Sequence, residues 1–460
     1  MSLTDCSIVD APRHRSADPG DTGAPSPRRA PKVLIVSWYF PPGNTIGAVR
    51  VGKFAKYLHD RGRDFRVLTA SAWGLPETLP LEVPPQHVIG TPWTDINDLP
   101  PALQTVRGWL TRPRADVAGA GAGGDGLARP RGRGLGHLYR TLTNVPDRQI
   151  GWLPHALGHA ARRLDGWRPD LIYASAPPFT SLIVADRLAA RYRCPWVIEF
   201  RDRWVDDPYY EKPPWRMAIE TRWERRLVGR ADAIVTVSQP WSDGFRVKYP
   251  GKSVATILNG FDPDDYAEAP GAGLADDGLS IVYTGAIYPG RRDPTPLFEA
   301  MRRLGGTDVR ARFYGTAPEH VLPLARRCGV EGLVEVLPSV PYRESIRRQQ
   351  AADVLLLLQW NDPREQGNVP AKLFEYLAAG RPILGLGLDD GVPARVIRER
   401  DAGLFSNEPA AIAAQLARWR EEKRLTGRVR PLAEAACRGF SRAEQFDRLL
   451  GFLDGRVAGR

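Results

Sequence analysis

A chain of 460 residues, 43% hydrophobic and 25% charged, has the make-up of a globular protein with real cores, and its length suits two or three domains. A formal charge of +11 points to a polyanion, an anionic membrane, or solubility alone; dispersed arginines without an aromatic–basic motif argue against nucleic acid. The four cysteines (Cys6, Cys194, Cys328 and Cys437) and seven histidines lack disulfide or metal-ligand spacing, so a reduced, cytoplasmic protein without bound metal is expected. No apolar run approaches the roughly 20 residues needed to span a bilayer.

Residues 1–30 have no apolar core and are expected to form a disordered tail rather than a signal peptide. The first buried strand is Lys32 to Ser37. A loop, Trp38 to Gly47, precedes a helix through Val51, Phe54, Tyr57 and Leu58, and a second strand covers Phe65 to Thr69. This βαβ opening is Rossmann-like, yet it lacks the G-x-G-x-x-G of dinucleotide binders. Gly43, Asn44 and Gly47 form a loop whose glycines either let backbone approach a ligand or serve as turn residues. Residues 107–136, rich in Gly, Ala and Arg without periodicity, read as a basic insertion in this domain.

Helix 151–167, strand 170–175, helix 180–192 and strand 195–200 follow, the last leading into Arg201-Asp202-Arg203-Trp204. A helix carrying Glu224 and Leu227, strand 233–238 and the turn at Asn259-Gly260 close the first half; Ser238 is placed to cap the helix after Pro240. Asp262-Pro263-Asp264 has the D-x-D form of metal-dependent transferases, but its place after Asn259-Gly260 fits a turn. A second βα series begins at strand Ser280–Gly285, followed by a basic loop with Arg291 and Arg292, and it includes helix 343–350.

Its most informative stretch is Asp353–Leu386. The run Val354 to Leu358 suits a strand buried on both faces; a polar loop follows, Pro370 opens a helix, and Gly380 ends it. Free backbone N–H groups at the helix start that Pro370 opens, around Val369 to Lys372, make an anion site, Lys372 adds a positive charge, and Glu375 can accept hydrogen bonds from ribose hydroxyls. Together they describe a pocket for a nucleotide diphosphate. The last stretch, Phe446 to Leu453, is amphipathic.

Taken in order, VLIVSWYFPPGNTIGAVR, PDLIYASAPPF, PWVIEFRDRW, ADAIVTVSQ, ILNGFDP, YTGAIYPGRRDP and NVPAKLFEYLAAGRPIL resemble glycosyltransferase family 4 over nearly the whole ordered chain, and within it the branch that builds bacterial surface polysaccharides and glycolipids. The resemblance implies an α/β, GT-B fold: Rossmann-like domains at 31–262 and 275–435 facing across a cleft, a linker at 263–274, and a C-terminal helix within 436–460 crossing back to the first domain. It implies retaining transfer from a nucleotide sugar, which is a substrate, with no cofactor and no metal. The acceptor would be lipid-linked or a polysaccharide, and the protein cytoplasmic, peripheral on the inner face of the membrane.

By position, Glu375 would bind the donor ribose, the amides near Val369 to Lys372, around Pro370, the diphosphate, and Arg291 with Arg292 the phosphates beside Gly285. Asp202 and Arg201 stand where the family presents a His to the sugar; a buried Arg–Asp brace is the structural alternative. Two departures stand out. The family's Glu eight positions before the ribose-binding one is Gly367 here, leaving Glu365 or Asn368 as substitutes, and its Arg after the strand glycine is Ala286. A sugar-nucleotide epimerase of the same fold and a non-catalytic sugar-nucleotide-binding protein are the alternatives in function.

Overall fold

Strand-length apolar runs alternating with amphipathic helices can bury both faces of a parallel sheet only by wrapping helices on each side. In a computed structural model this happens twice. The structure describes residues 29–71, 74, 76–97, 141–210, 212–267 and 278–458. The expected tail apart from its last two residues, the 107–136 insertion and residues 268–274 lie outside these.

The first half runs β1 (Val33–Val36), α1 (Ile46–Asp60), β2 (Phe65–Ala70), β3 (Val88–Thr91), α2 (Leu153–Arg163), β4 (Leu171–Ala176), α3 (Thr180–Tyr192), β5 (Trp196–Phe200), α4 (Pro214–Arg230), β6 (Ala233–Thr236), α5 (Gln239–Lys248) and β7 (Ser253–Thr256). Its strands form one seven-stranded parallel sheet in the order β3-β2-β1-β4-β5-β6-β7. The second half runs β8 (Leu279–Thr284), α6 (Thr295–Leu304), β9 (Val309–Tyr314), α7 (Leu322–Arg327), β10 (Val334–Leu337), α8 (Tyr342–Ala351), β11 (Val354–Leu358), α9 (Ala371–Ala378), β12 (Ile383–Leu386), α10 (Val392–Glu399), β13 (Gly403–Phe405) and α11 (Pro409–Thr426). Its six parallel strands are ordered β10-β9-β8-β11-β12-β13. Strand order reverses between β1 and β4 in one sheet and between β8 and β11 in the other, and such switch points are where open α/β sheets take ligands.

The last helix, α12 (Arg442–Ala458), returns to the first half. Phe446 packs against Phe54 and Tyr57 at ring separations of 5.2 and 5.7 Å, and Leu449 and Leu453 enter the core beneath β1 and β2. Each such burial contributes about 1.5–3 kcal/mol, enough to fix the crossing.

Two local expectations change. Thr45 caps α1 by accepting from the Ala48 amide at 3.0 Å, so the helix starts at Ile46 and Gly47 sits in its first turn instead of a loop. Ser238 does occupy the position before α5, but its hydroxyl makes no capping bond and is buried without a partner.

Candidate functional site

The carboxyl ends of β8 and β11 bring Gly285 and α9 together. Gly285 has a φ of 117°, a conformation that suits glycine, and a Cβ there would lie 2.5 Å from Lys372 Nζ. The Lys372 ammonium therefore fills the space a side chain at 285 would take, 5.4 Å from the centre of the Tyr283 ring. It makes no ion pair among the described residues. Burial pushes its pKa down, and the nearby Arg292 guanidinium adds to that effect, while Tyr283 and Glu375 oppose it. Pro370 precedes α9 without a side-chain cap, so the amides of the first turn, near buried Val369, have no such partner. The helix begins at Ala371, one residue later than the sequence suggests.

Glu375 lies one turn on, half-buried, where burial raises its carboxyl and Lys372 and Arg442 oppose the rise. Gln349 Nε2 reaches its Oε2 at 3.5 Å, and the Tyr266 hydroxyl donates to its backbone carbonyl at 3.2 Å. Gly285, Lys372 and Glu375, far apart in the chain, thus share one pocket wall.

The two neighbouring arginines divide. Arg292 donates to the Ala286 carbonyl at 3.2 Å and lies over the Tyr288 ring, and its buried Nε has no hydrogen-bond partner. It is the arginine that faces Lys372. Arg291 is instead stacked between Tyr209 and Trp360, 4.3 and 4.9 Å from their ring centres. Arg292 thus lies on the Lys372 side, and Arg291 lies where the two halves meet.

Several contacts make that meeting. Tyr209 donates to Glu365 Oε2 at 2.9 Å, Arg203 to the Arg364 carbonyl at 3.2 Å, and Trp241 Nε1 to the Gln366 carbonyl at 3.3 Å. Glu365 is only 3% exposed and also accepts from Asn368 at 2.8 Å and Gln359 at 3.2 Å; burial raises its carboxyl. Gly367 has a φ of 85°, and a Cβ there would sit 2.4 Å from the Trp241 ring. A glutamate cannot occupy this position while Trp241 stands where it does. Tyr209, Trp241 and Trp360 were not singled out from sequence; aromatic residues just beyond strand ends β5, β6 and β11 were the available signal.

At the end of β5 the predicted pair separates. The Asp202 carboxylate is open to water and makes no hydrogen bond among the described residues, while the surrounding cleft walls raise its pKa and Arg201 opposes this. Asp202 is near enough to Tyr288 of the second half to add to the effect of burial in raising that hydroxyl. Arg201 turns away: it donates to the carbonyls of Ala176 and Pro177, and no Arg201–Asp202 ion pair forms. A Cβ on Gly47 would lie 2.1 Å from Arg201 Nη1, so the bare Cα of Gly47 makes room for the Arg201 guanidinium. Gly43 pairs with Glu77, and Asn44 donates to Thr78 Oγ1 at 2.7 Å. Beneath them Arg50 and Glu199 form a buried ion pair at 2.8 Å, and Arg50 also holds the carbonyls of Ile257 and Leu258.

The D-x-D carboxylates are already engaged. Glu82, Asp262 and Asp265 converge, but Lys53 Nζ lies 3.0, 2.7 and 2.8 Å from them, and Lys56 bridges Asp262 and Asp264 at 3.1 and 2.5 Å. A lysine ammonium stands at the centre of that cluster.

Two facing parallel sheets, a helix N-terminus with an unpaired lysine, and a carboxylate one turn on define the GT-B class of glycosyl-transferring enzymes. Residues 120–265 match the family described as Glycosyltransferase Family 4, and residues 278–422 match Glycosyl transferases group 1. The chain belongs to the family 4 glycosyltransferases. No curated protein matches the sequence. Among solved structures, Anabaena HepE in complex with UDP and glucose is 16% identical with a TM-score of 0.59, covering 92% of this chain and 100% of its own. Sucrose-phosphate synthase from Thermosynechococcus elongatus is 14% identical at 0.55, covering 94% and 97%. WaaG, a glycosyltransferase involved in lipopolysaccharide biosynthesis, is 15% identical at 0.52, covering 92% and 100%. At these identities the likeness is one of fold. No helix among the described residues is long and apolar enough to cross a membrane.

Proposed function

We propose that the protein transfers a sugar, with retention of anomeric configuration and without a metal, from a nucleotide-diphosphate donor to a lipid-linked or polysaccharide acceptor in the building of a cell-surface glycan. The observation that carries this reading is Lys372: a cation packed on Gly285 at an uncapped helix start, with no acidic partner, beside Glu375. An unpaired charge out of bulk water is costly, and a diphosphate would offset that cost. Arg292, with an unpartnered Nε, supplies the second cation for the departing diphosphate. Glu375 accepts from the ribose hydroxyls.

Asp202, facing the second half from the end of β5, is the group placed to orient the acceptor or stabilise charge at the sugar, and Arg201 positions its loop. With position 367 closed by Trp241, Asn368, held by Glu365, takes over contact with the sugar hydroxyls. Since HepE is described with UDP and glucose, uridine is the first base to try. A thermal-shift screen against UDP-, GDP-, ADP- and dTDP-sugars tests the reading. Stabilisation by one donor, abolished in Lys372→Met, is expected; no shift with any donor would leave a non-catalytic role, and turnover of a donor without acceptor would favour an epimerase.

A further inference from the structure

Helix α4 follows directly on the loop that carries Asp202 and Tyr209, and its two faces differ sharply. Both of its acids point inward: Glu220 pairs with Arg216 at 2.5 Å and Glu224 with Lys248 at 2.6 Å. The outward stripe reads Trp215, Ala218, Ile219, Arg222, Arg225, Arg226, with no acid in it. Trp215 is 42% exposed and Ile219 41%. Arg216 donates to the carbonyls of Thr141 and Pro146, at 3.4 and 3.0 Å, and so ties the 141–146 segment to this end of the helix; that segment adds Leu142, 56% exposed. Arg222, Arg225 and Arg226 form no salt bridge among the described residues.

The stripe is therefore apolar at the end nearest the cleft loop and cationic along the rest. Exposed tryptophan and isoleucine gain nothing from water, and three unpaired guanidiniums on one face call for negative charge. A tryptophan beside arginines suits the boundary between acyl chains and anionic headgroups. We infer that the outer face of α4, with Leu142, is the surface by which the protein sits on an anionic lipid bilayer. The occupant is a lipid surface because apolar and cationic groups share one helix face, whereas a soluble polyanion would use only the arginines. The purpose of this surface, presenting a membrane-held acceptor to the cleft, rests on the proposed function; its existence does not, since binding is read without donor or turnover.

The test is co-sedimentation of the full chain with phosphatidylcholine vesicles, with and without phosphatidylglycerol. The wild type is expected to partition onto the anionic vesicles only, less so as salt rises. Arg222→Gln/Arg225→Gln/Arg226→Gln should weaken partitioning between tenfold and about a hundredfold, from roughly 1 kcal/mol per basic residue. Trp215→Ser/Ile219→Ser should weaken it about tenfold, with a modest fall in melting and an unchanged donor-induced thermal shift, because both side chains are partly exposed and lie outside the cleft. Equal binding to neutral and anionic vesicles, or wild-type binding by both variants, would overturn the inference. So would binding to heparin that matches vesicle binding and is indifferent to Trp215→Ser/Ile219→Ser, which would make the face a polyanion site.

Discussion

Two lysines of this protein have opposite settings. Lys53, on α1, is surrounded by Glu82, Asp262 and Asp265, and although burial works against its charge, those carboxylates raise its pKa. Lys372, on α9, lies against Gly285 and Tyr283 with no carboxylate in contact, and burial lowers its pKa. The first is neutralised by the chain itself and belongs to the fold, where it ties α1 to the segment leading out of the first half. The second is left with charge that folding does not offset. A cation in that condition is evidence for a ligand, while a paired one is evidence only for a joint.

The largest effect should come from removing the paired lysine. Lys53→Met removes the cation at the centre of three converging carboxylates, leaving only Lys56 at their edge, and should cost about 3–5 kcal/mol, seen as a large fall in melting temperature. Donor affinity of the fraction still folded should be near normal. Lys372→Met should reverse both results: unchanged or slightly raised melting, because a charge disfavoured by burial is removed, and loss of nucleoside diphosphate binding by about a hundredfold in calorimetry. If both substitutions lowered melting alike, the contrast between the two sites would collapse.

Glu375→Gln sharpens the ligand side. It keeps shape and helix propensity but withdraws the charge, so melting should hold while donor binding or turnover drops ten- to a hundredfold, as expected for a charge-assisted bond of about 1.5–3 kcal/mol. Normal activity in that variant would place the pocket elsewhere.

A smaller effect appears with pH. Lys372 sheds its proton below the usual lysine range, so diphosphate affinity should decline as pH rises through that lowered value, and the decline should be absent in Lys372→Met. The sign for stability is opposite for the two residues. With a folded pKa below the unfolded one, Lys372 makes the free protein more stable as pH rises toward the lysine range. Lys53, raised by its carboxylates, gives stability that is present below the unfolded pKa and lost as pH climbs through the folded one. Calorimetric titrations and melts across the alkaline range read both.

The wall formed by Gly285, Lys372 and Glu375 was legible because most of its determinants are local. Val354 to Leu358 announce a buried strand, and Lys372 and Glu375 sit at fixed offsets on the helix after it, so strand, anion site and carboxylate follow from one stretch of chain. Even Gly285 was found from its place at a strand end. What escaped depends on partners distant in sequence. The closed space at Gly367 exists only because Trp241 arrives from the other half, and Arg291 stacks on Tyr209 for the same reason. Gly47 reads from sequence as a loop glycine, whereas Thr45 capping starts the helix before it and its bare Cα lies against Arg201. Strands β3 and β7 are short and partly exposed, and their runs lack the continuous apolar signal of β11.

The meeting of Trp241 with Gly367 also bears on how this chain can change. A glutamate at 367 would collide with the indole and demand a backbone conformation it resists; shrinking Trp241 alone would open a gap and forfeit the bond to the Gln366 carbonyl. Each step is harmful by itself, and the two positions lie in separate halves of the gene product. The two positions are therefore coupled across the halves, and neither side chain can be altered without regard to the other.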